Sequence, residues 1–164
     1  MGCGREEYPD DVHALRTAIA ATASVLIARL IQLPEAYWSS IATLVVMQST
    51  LGATITLSIE RIVATAVGAS IGAIEANLFG SNLIAFAGAI ILIGLLSKVF
   101  RLDKTAYRYA SITLAIIILI PRSNPAWMVA WHRFLEVSMG IIVALAVVAL
   151  WPEHQPNLGR SADE

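Results

Sequence analysis

The sequence predicts an all-α integral membrane protein of six transmembrane helices, laid out as a 3+3 inverted repeat. Three observations carry that expectation. The 164 residues are 57% hydrophobic and 14% charged, with mean hydropathy +0.72. Soluble domains run at about 45–50% apolar and about 25% charged, and a water-soluble domain this small has too little interior to hide so much apolar surface. The apolar residues fall into six runs separated by short stretches of turn chemistry. Residue types in the last three runs also echo those in the first three at a constant spacing.

Residues 14–33 form the first run, which Pro34 and Glu35 stop. The second, residues 37–48, opens on the pair Tyr37-Trp38 and breaks at residues 49–52, which include Thr50 and Gly52. The third, residues 54–79, ends at Gly80-Ser81-Asn82, and the fourth, residues 83–100, meets the basic stretch 101–108. The fifth, residues 109–120, stops at Pro121, and the sixth, residues 126–151, is bracketed by Trp127, Trp131 and Trp151 as interfacial aromatics bracket a span. Backbone in hydrocarbon must satisfy its own hydrogen bonds, so each run is expected as a helix. The second and fifth hold 12 residues each, about 18 Å of helix against a hydrocarbon core of about 30 Å. They are the weakest spans.

Arg61, Gly68 and Gly72 in the third run are matched by Arg133, Gly140 and Ala144 in the sixth, always 72 positions on. Tyr37 and Tyr109 share that offset, and "ATLVV" from Ala42 matches "ITLAI" from Ile112 at 70. An odd number of spans per half makes the second half inverted. In inverted-repeat transporters, paired short or interrupted segments point to the substrate path.

With the N-terminus inside, eight Lys/Arg (Arg5, Arg16, Arg61, Lys98, Arg101, Lys104, Arg108, Arg160) fall on the cytoplasmic side and three (Arg29, Arg122, Arg133) outside. That bias predicts a multi-pass protein of the inner (plasma) membrane with both termini cytoplasmic. Residues 1–11 carry Glu6, Glu7, Asp10 and Asp11 where a signal peptide wants positive charge, so they read as a solvated tail, as do residues 153–164. Residues 12–152 are expected as the membrane domain. Net charge is −1, which gives a nucleic-acid partner no electrostatic support. Cys3 is the only cysteine and the three histidines are scattered, so neither a disulfide nor a metal set is indicated, and no cofactor motif appears.

Chemistry concentrates on a few residues. Arg61, Thr65, Gly68, Gly72 and Glu75 follow at steps of 4, 3, 4 and 3, one face of a helix. Gly68 and Gly72, with Gly140 and Ala144, are expected as helix-packing positions. Arg61 and Arg133 each mark the beginning of an apolar stretch and need an anionic neighbour: Glu60, Glu136 or an anionic substrate. Glu136 and Glu75 are ionisable groups within spans, which are expensive and often functional; both are proton-coupling candidates. Tyr37 and Trp38 either anchor the interface or stack on an aromatic ligand. Gln48 and Thr54 flank the break at Gly52, where they either line a polar path or cap two helices. No nucleophile elbow, phosphate loop or paired-carboxylate arrangement occurs, so an enzyme is not expected.

The stretch from Leu15 to Gly72 resembles the opening of the fusaric acid resistance/aromatic acid exporter superfamily. The resemblance rests on Leu15 to Ala18, Pro34, Tyr37-Trp38, Gln48, Thr50, Gly52 to Thr54, Arg61, Gly68 and Gly72. The stretch from Arg133 to Pro152 resembles the family's last helix, and Ser49 stands where many members have proline. The resemblance implies a six-helix membrane domain that exports aromatic carboxylic acids or related organic anions, drawing on the proton gradient. A single six-helix unit is expected to form a homo-oligomer. Two other readings of the same chain are a non-transporting membrane anchor or assembly subunit, and an anion channel.

Overall fold

A computed structural model describes residues 11–48, 50–99, 104–120 and 124–151. The expected tails, apart from Asp11, lie outside the described residues, as do Ser49, the start of the basic stretch and Pro121 to Ser123. Among the described residues the chain is all helix: α1 (Asp11–Leu30), α2 (Tyr37–Val46), α3 (Leu51–Phe79), α4 (Leu83–Val99), α5 (Lys104–Leu119) and α6 (Ala126–Leu150). Three of these, α1, α3 and α6, are long and apolar enough to cross a membrane, while α2 and α4 are shorter apolar helices.

Local chemistry explains the helix ends. Past α1, Gln32 adopts φ 58°. Leu33 N–H reaches back to the Ala28 carbonyl at 3.0 Å and Gln32 N–H to that of Arg29 at 3.0 Å, the paired bonds of a Schellman close. Pro34 then prevents continuation. Thr50 caps α3, its hydroxyl accepting from the Ala53 N–H at 3.3 Å. Asn82 Oδ1 accepts from the Ile84 N–H at 2.9 Å where α4 begins, and Pro125 precedes α6.

Several boundaries differ from the sequence expectation: α1 lies three residues earlier at both ends and α2 stops two residues sooner, and two further shifts bear on the site. α5 begins at Lys104, five residues before Tyr109, and so has 16 residues rather than 12. Residues 104–108 were expected as interface chemistry, but Lys, Ala and Arg are good helix formers and Ala106 is buried in the core. α3 begins at Leu51, three residues before the expected start, so Arg61 lies ten residues into its helix, about 15 Å from the start. α2 remains short, at 10 residues.

The helices sort into two groups that cut across the sequence halves. α6 packs on α2, with α1 covering both; α3 packs on α5, with α4 against them; and the groups meet where α3 lies along α6. The buried apolar clusters follow this division. One joins Ala20, Ala42, Val46, Val137, Ile141 and Val148 from α1, α2 and α6. Another joins Ala64, Ala89, Ile93, Ala110, Leu114 and Ile118 from α3, α4 and α5. A third, with Ala69, Ile117 and Val129, links α3, α5 and α6.

Candidate functional site

In both groups a glycine lets the long helix approach the short one. A Cβ on Gly140 of α6 would overlap the Ser39 carbonyl oxygen of α2 and lie 2.9 Å from the Ala42 Cβ. A Cβ on Gly68 of α3 would overlap the Ala110 carbonyl oxygen of α5. Close approach of this kind is what a small residue supplies in a helix pair. At Gly72 the neighbour is the Ile117 side chain, 3.3 Å away, and Ala144 is fully buried among α1, α2 and α6.

This approach brings each arginine of the long helices over an aromatic ring of the short helix it packs on. The Arg133 Cζ lies 3.4 Å from the centroid of the Trp38 ring, and the Arg61 Cζ lies 4.0 Å from that of Tyr109. Guanidinium over a ring face is a favourable cation–π geometry. Tyr37 stands half exposed, its ring 5.5 Å from that of Trp38.

Around Arg133 the polar groups are closely knit. One guanidinium nitrogen lies 3.6 Å from Glu136 Oε2 and 3.9 Å from Glu35 Oε2. Glu35 itself accepts the Trp38 indole N–H at 2.9 Å, and its backbone N–H donates to Glu136 Oε1 at 3.0 Å. The Ser39 hydroxyl donates to the Glu136 carbonyl at 2.7 Å, and the Thr43 hydroxyl contacts the Gly140 and Ser39 carbonyls, each at 2.9 Å. Arg133, Glu136, Ser39 and Thr43 are all buried. Glu136 is therefore the expected anion beside Arg133, and Glu35, read in the sequence only as part of a turn, is the second. Its signal was present: Glu35 stands three residues before Trp38 at the mouth of α2.

Around Arg61 the balance is different. Neither Glu60 nor Glu136 pairs with it, and among the described residues it has no carboxylate partner. Its Nε and the hydroxyls of Ser58 and Thr65 find no hydrogen-bond partner although all three side chains are buried. Ser58, Arg61 and Thr65 sit at i, i+3 and i+7, one face of α3. The result is a buried cation flanked by two unused hydroxyls and an aromatic ring, a donor set suited to a carboxylate carrying an aromatic group.

The break after α2 is closed by hydrogen bonds. The Thr54 hydroxyl donates to the Thr50 carbonyl at 3.0 Å and accepts from the Gln48 N–H at 3.2 Å. The Gln48 carbonyl accepts from Arg16 at 2.8 Å, and a second Arg16 nitrogen reaches the Trp151 carbonyl at 2.9 Å. Arg16 is wholly buried and so ties together the C-terminal ends of α2 and α6, the negative ends of their dipoles. The sequence reading placed Arg16 only in the charge count. A basic residue inside an apolar run was the clue to a buried role. Glu75 is buried near the far end of α3, and neither carboxylate oxygen has a hydrogen-bond partner.

Residues 21–147, which take in α2 to α5 whole with the second half of α1 and most of α6, match the family model described as fusaric acid resistance protein-like. The chain belongs to that family. Among curated proteins, this fusaric acid resistance-like chain is 30% identical over 151 residues to the inner membrane protein YeeA of Escherichia coli (strain K12), covering 87% of this chain and 41% of the relative. It is 28% identical over 150 residues to the inner membrane protein YccS of the same organism, covering 90% of this chain and 21% of the relative. The chain thus spans less than half the length of either. No solved structure matches it. Membership supports a membrane protein of transporter type. Both arginine sites lie within the matched region, whereas Arg16 and Trp151 lie just outside it.

Proposed function

We propose that this chain is a transport unit of the inner membrane that exports aromatic carboxylates or related organic anions in exchange for protons. In this reading all six helices span, the two halves are an inverted 3+3 repeat, both termini are cytoplasmic, and the units act as a homo-oligomer. The offset of 72 supports the repeat, because it relates Arg61 to Arg133 and Gly68 to Gly140, and each of these pairs makes corresponding contacts in its own helix group. The observation that carries the function is the state of Arg61: a buried guanidinium with no carboxylate partner, beside unused hydroxyls and the Tyr109 ring.

The mechanism follows from the contrast between the sites. Arg61 holds the substrate carboxylate, Ser58 and Thr65 donate to it, and Tyr109 stacks on the substrate ring. Arg133, nearer the outer side in this orientation, is already balanced by Glu136 and Glu35. A proton arriving from outside and settling on Glu136 removes one of its anions, so the guanidinium becomes available to the departing substrate. Loss of the proton to the cytoplasmic side restores the pair. Tyr37 and Trp38 line the exit, Gln48 and Thr54 close the cytoplasmic end, and Glu75 is a second proton-coupling candidate.

The test is flux of fusaric acid and simpler aromatic acids from proteoliposomes, with and without a pH gradient. The wild type is expected to give gradient-dependent flux. Arg61→Ala is expected to abolish it while the protein stays in the membrane. Undiminished flux in Arg61→Ala refutes the site. Flux indifferent to the gradient selects the channel reading, and no flux from any acid selects the non-transporting module.

A further inference from the structure

A cavity of about 550 Å³ opens between α3 and α4, separate from both arginines. Its walls include Ile71, Ile74, Leu78, Phe79 and Leu92, and among the described residues one ionisable group, Glu75, faces into it. That side chain is 6% exposed and neither of its oxygens is hydrogen-bonded. Gly88 lines the same space, and a Cβ built there meets nothing within 4 Å. The volume falls in the range of sites for drug-sized ligands, about 300–1,000 Å³. Glu75 is 14 residues beyond Arg61 on α3, about 21 Å along the axis.

We propose that this cavity is a second ligand site, selective for lipophilic organic cations, with Glu75 as its anionic anchor. The argument is one of complementarity. A buried carboxyl stays ionised only beside a counter-charge, and among the described residues no cationic side chain lines the cavity. Basic groups on the helices packed around it sit elsewhere: Lys98 in the last turn of α4, and Lys104 and Arg108 in the opening turns of α5. A small hydrated cation would lose its water shell to walls that offer almost no oxygen in return. A cation with spread charge and an apolar body loses little on desolvation, fills the space against Ile74, Leu78 and Leu92, and gains from the face of Phe79. The inference extends the chain's ligand range from anions to cations and does not depend on the anion site.

Tetraphenylphosphonium is the probe, measured by equilibrium binding to the purified full chain in nanodiscs. Wild type is expected to bind it saturably. Glu75→Gln is expected to weaken binding about 30-fold or more, the loss typical when one member of a buried ion pair is removed, while Glu75→Asp retains most of it. Gly88→Leu, which fills the cavity without touching the carboxyl, is expected to weaken binding as well, so the test survives if one variant folds poorly. Arg61→Ala should bind the probe like wild type, which separates this site from the anion path. Equal binding by Glu75→Gln and wild type, as for an acyl-chain crevice, overturns the proposal.

Discussion

Arg133 and Arg61 occupy corresponding places in the two helix groups, yet their surroundings have opposite electrostatic character. Each lies over the aromatic ring of a short helix, and each precedes by seven residues a glycine pressed on that helix's backbone. Arg133 faces two carboxylates that are themselves held by hydrogen bonds. Among the described residues Arg61 faces none, and the hydroxyls beside it are unused. The contact geometry is alike while the charge around it differs. A buried, balanced pair is held by its own partners; a buried cation with no carboxylate among the described residues is the place where the proposed function seats its anion.

Methionine at each arginine gives the largest contrast. Arg133→Met leaves two carboxylates without their cation and is expected to cost about 3–5 kcal/mol of stability, the usual effect of breaking a buried ion pair from one side. Arg61→Met strands no charge. It removes a desolvated cation and keeps the bulk, so stability should hold within about 1 kcal/mol or rise, although the proposed anion site is lost. Thermal unfolding of both proteins in the same detergent decides the matter. Equal destabilisation would break the comparison, because it would mean that Arg61 also has a structural partner.

The two sites were unequally legible in the sequence. Helical periodicity put Arg61, Thr65, Gly68, Gly72 and Glu75 on one face, and all five are buried. The offset of 72 singled out the arginines and glycines without showing what each would touch. Periodicity reports a face, and it is silent on which helix covers that face. The exchange that packs α3 on α5 and α6 on α2 brings together residues about 40 to 100 positions apart in the chain, a distance over which no local pattern operates. Arg16 shows the same limit, since its two carbonyl partners lie 32 and 135 positions away. The early start of α5 was obscured by charge: Lys104 and Arg108 look like interface residues, but the alanines between and after them, Ala106 and Ala110, are core.

Smaller effects are expected at the glycines, where the two regions should behave alike. Gly68→Ala and Gly140→Ala each place a methyl group against a backbone carbonyl that cannot turn aside. The strain of overpacking, about 1–3 kcal/mol, outweighs the gain of about 1 kcal/mol in helix propensity. Gly72→Ala meets only the Ile117 side chain, 3.3 Å away, which can shift by a few tenths of an ångström, so it should be close to neutral. Unfolding temperatures that fall together for the first two variants and not for the third would sharpen the view that the groups share one packing scheme. A fall in only one would show that the backbones are not equivalently close.

The smallest effects, and the most discriminating in sign, are expected at two buried threonines. Thr43 lies in the Arg133 group, its hydroxyl bonded to the Gly140 and Ser39 carbonyls. Thr65 lies in the Arg61 group, equally buried, its hydroxyl without a partner. Valine replaces either with nearly the same shape. Thr43→Val removes made hydrogen bonds and should lower stability by about 1 kcal/mol; measured interhelical hydrogen bonds in membranes average about 0.6 kcal/mol. Thr65→Val removes an unmade one and relieves its desolvation, so stability should stay level or rise by about 1 kcal/mol. On the proposed function the cost falls instead on transport, as weaker apparent affinity for the acid with little change in maximal flux. A folding cost at Thr65 equal to that at Thr43 would mean that the hydroxyl is already satisfied in the membrane, for instance by water held beside Arg61. The site would then be a hydrated packing defect with no place reserved for a carboxylate.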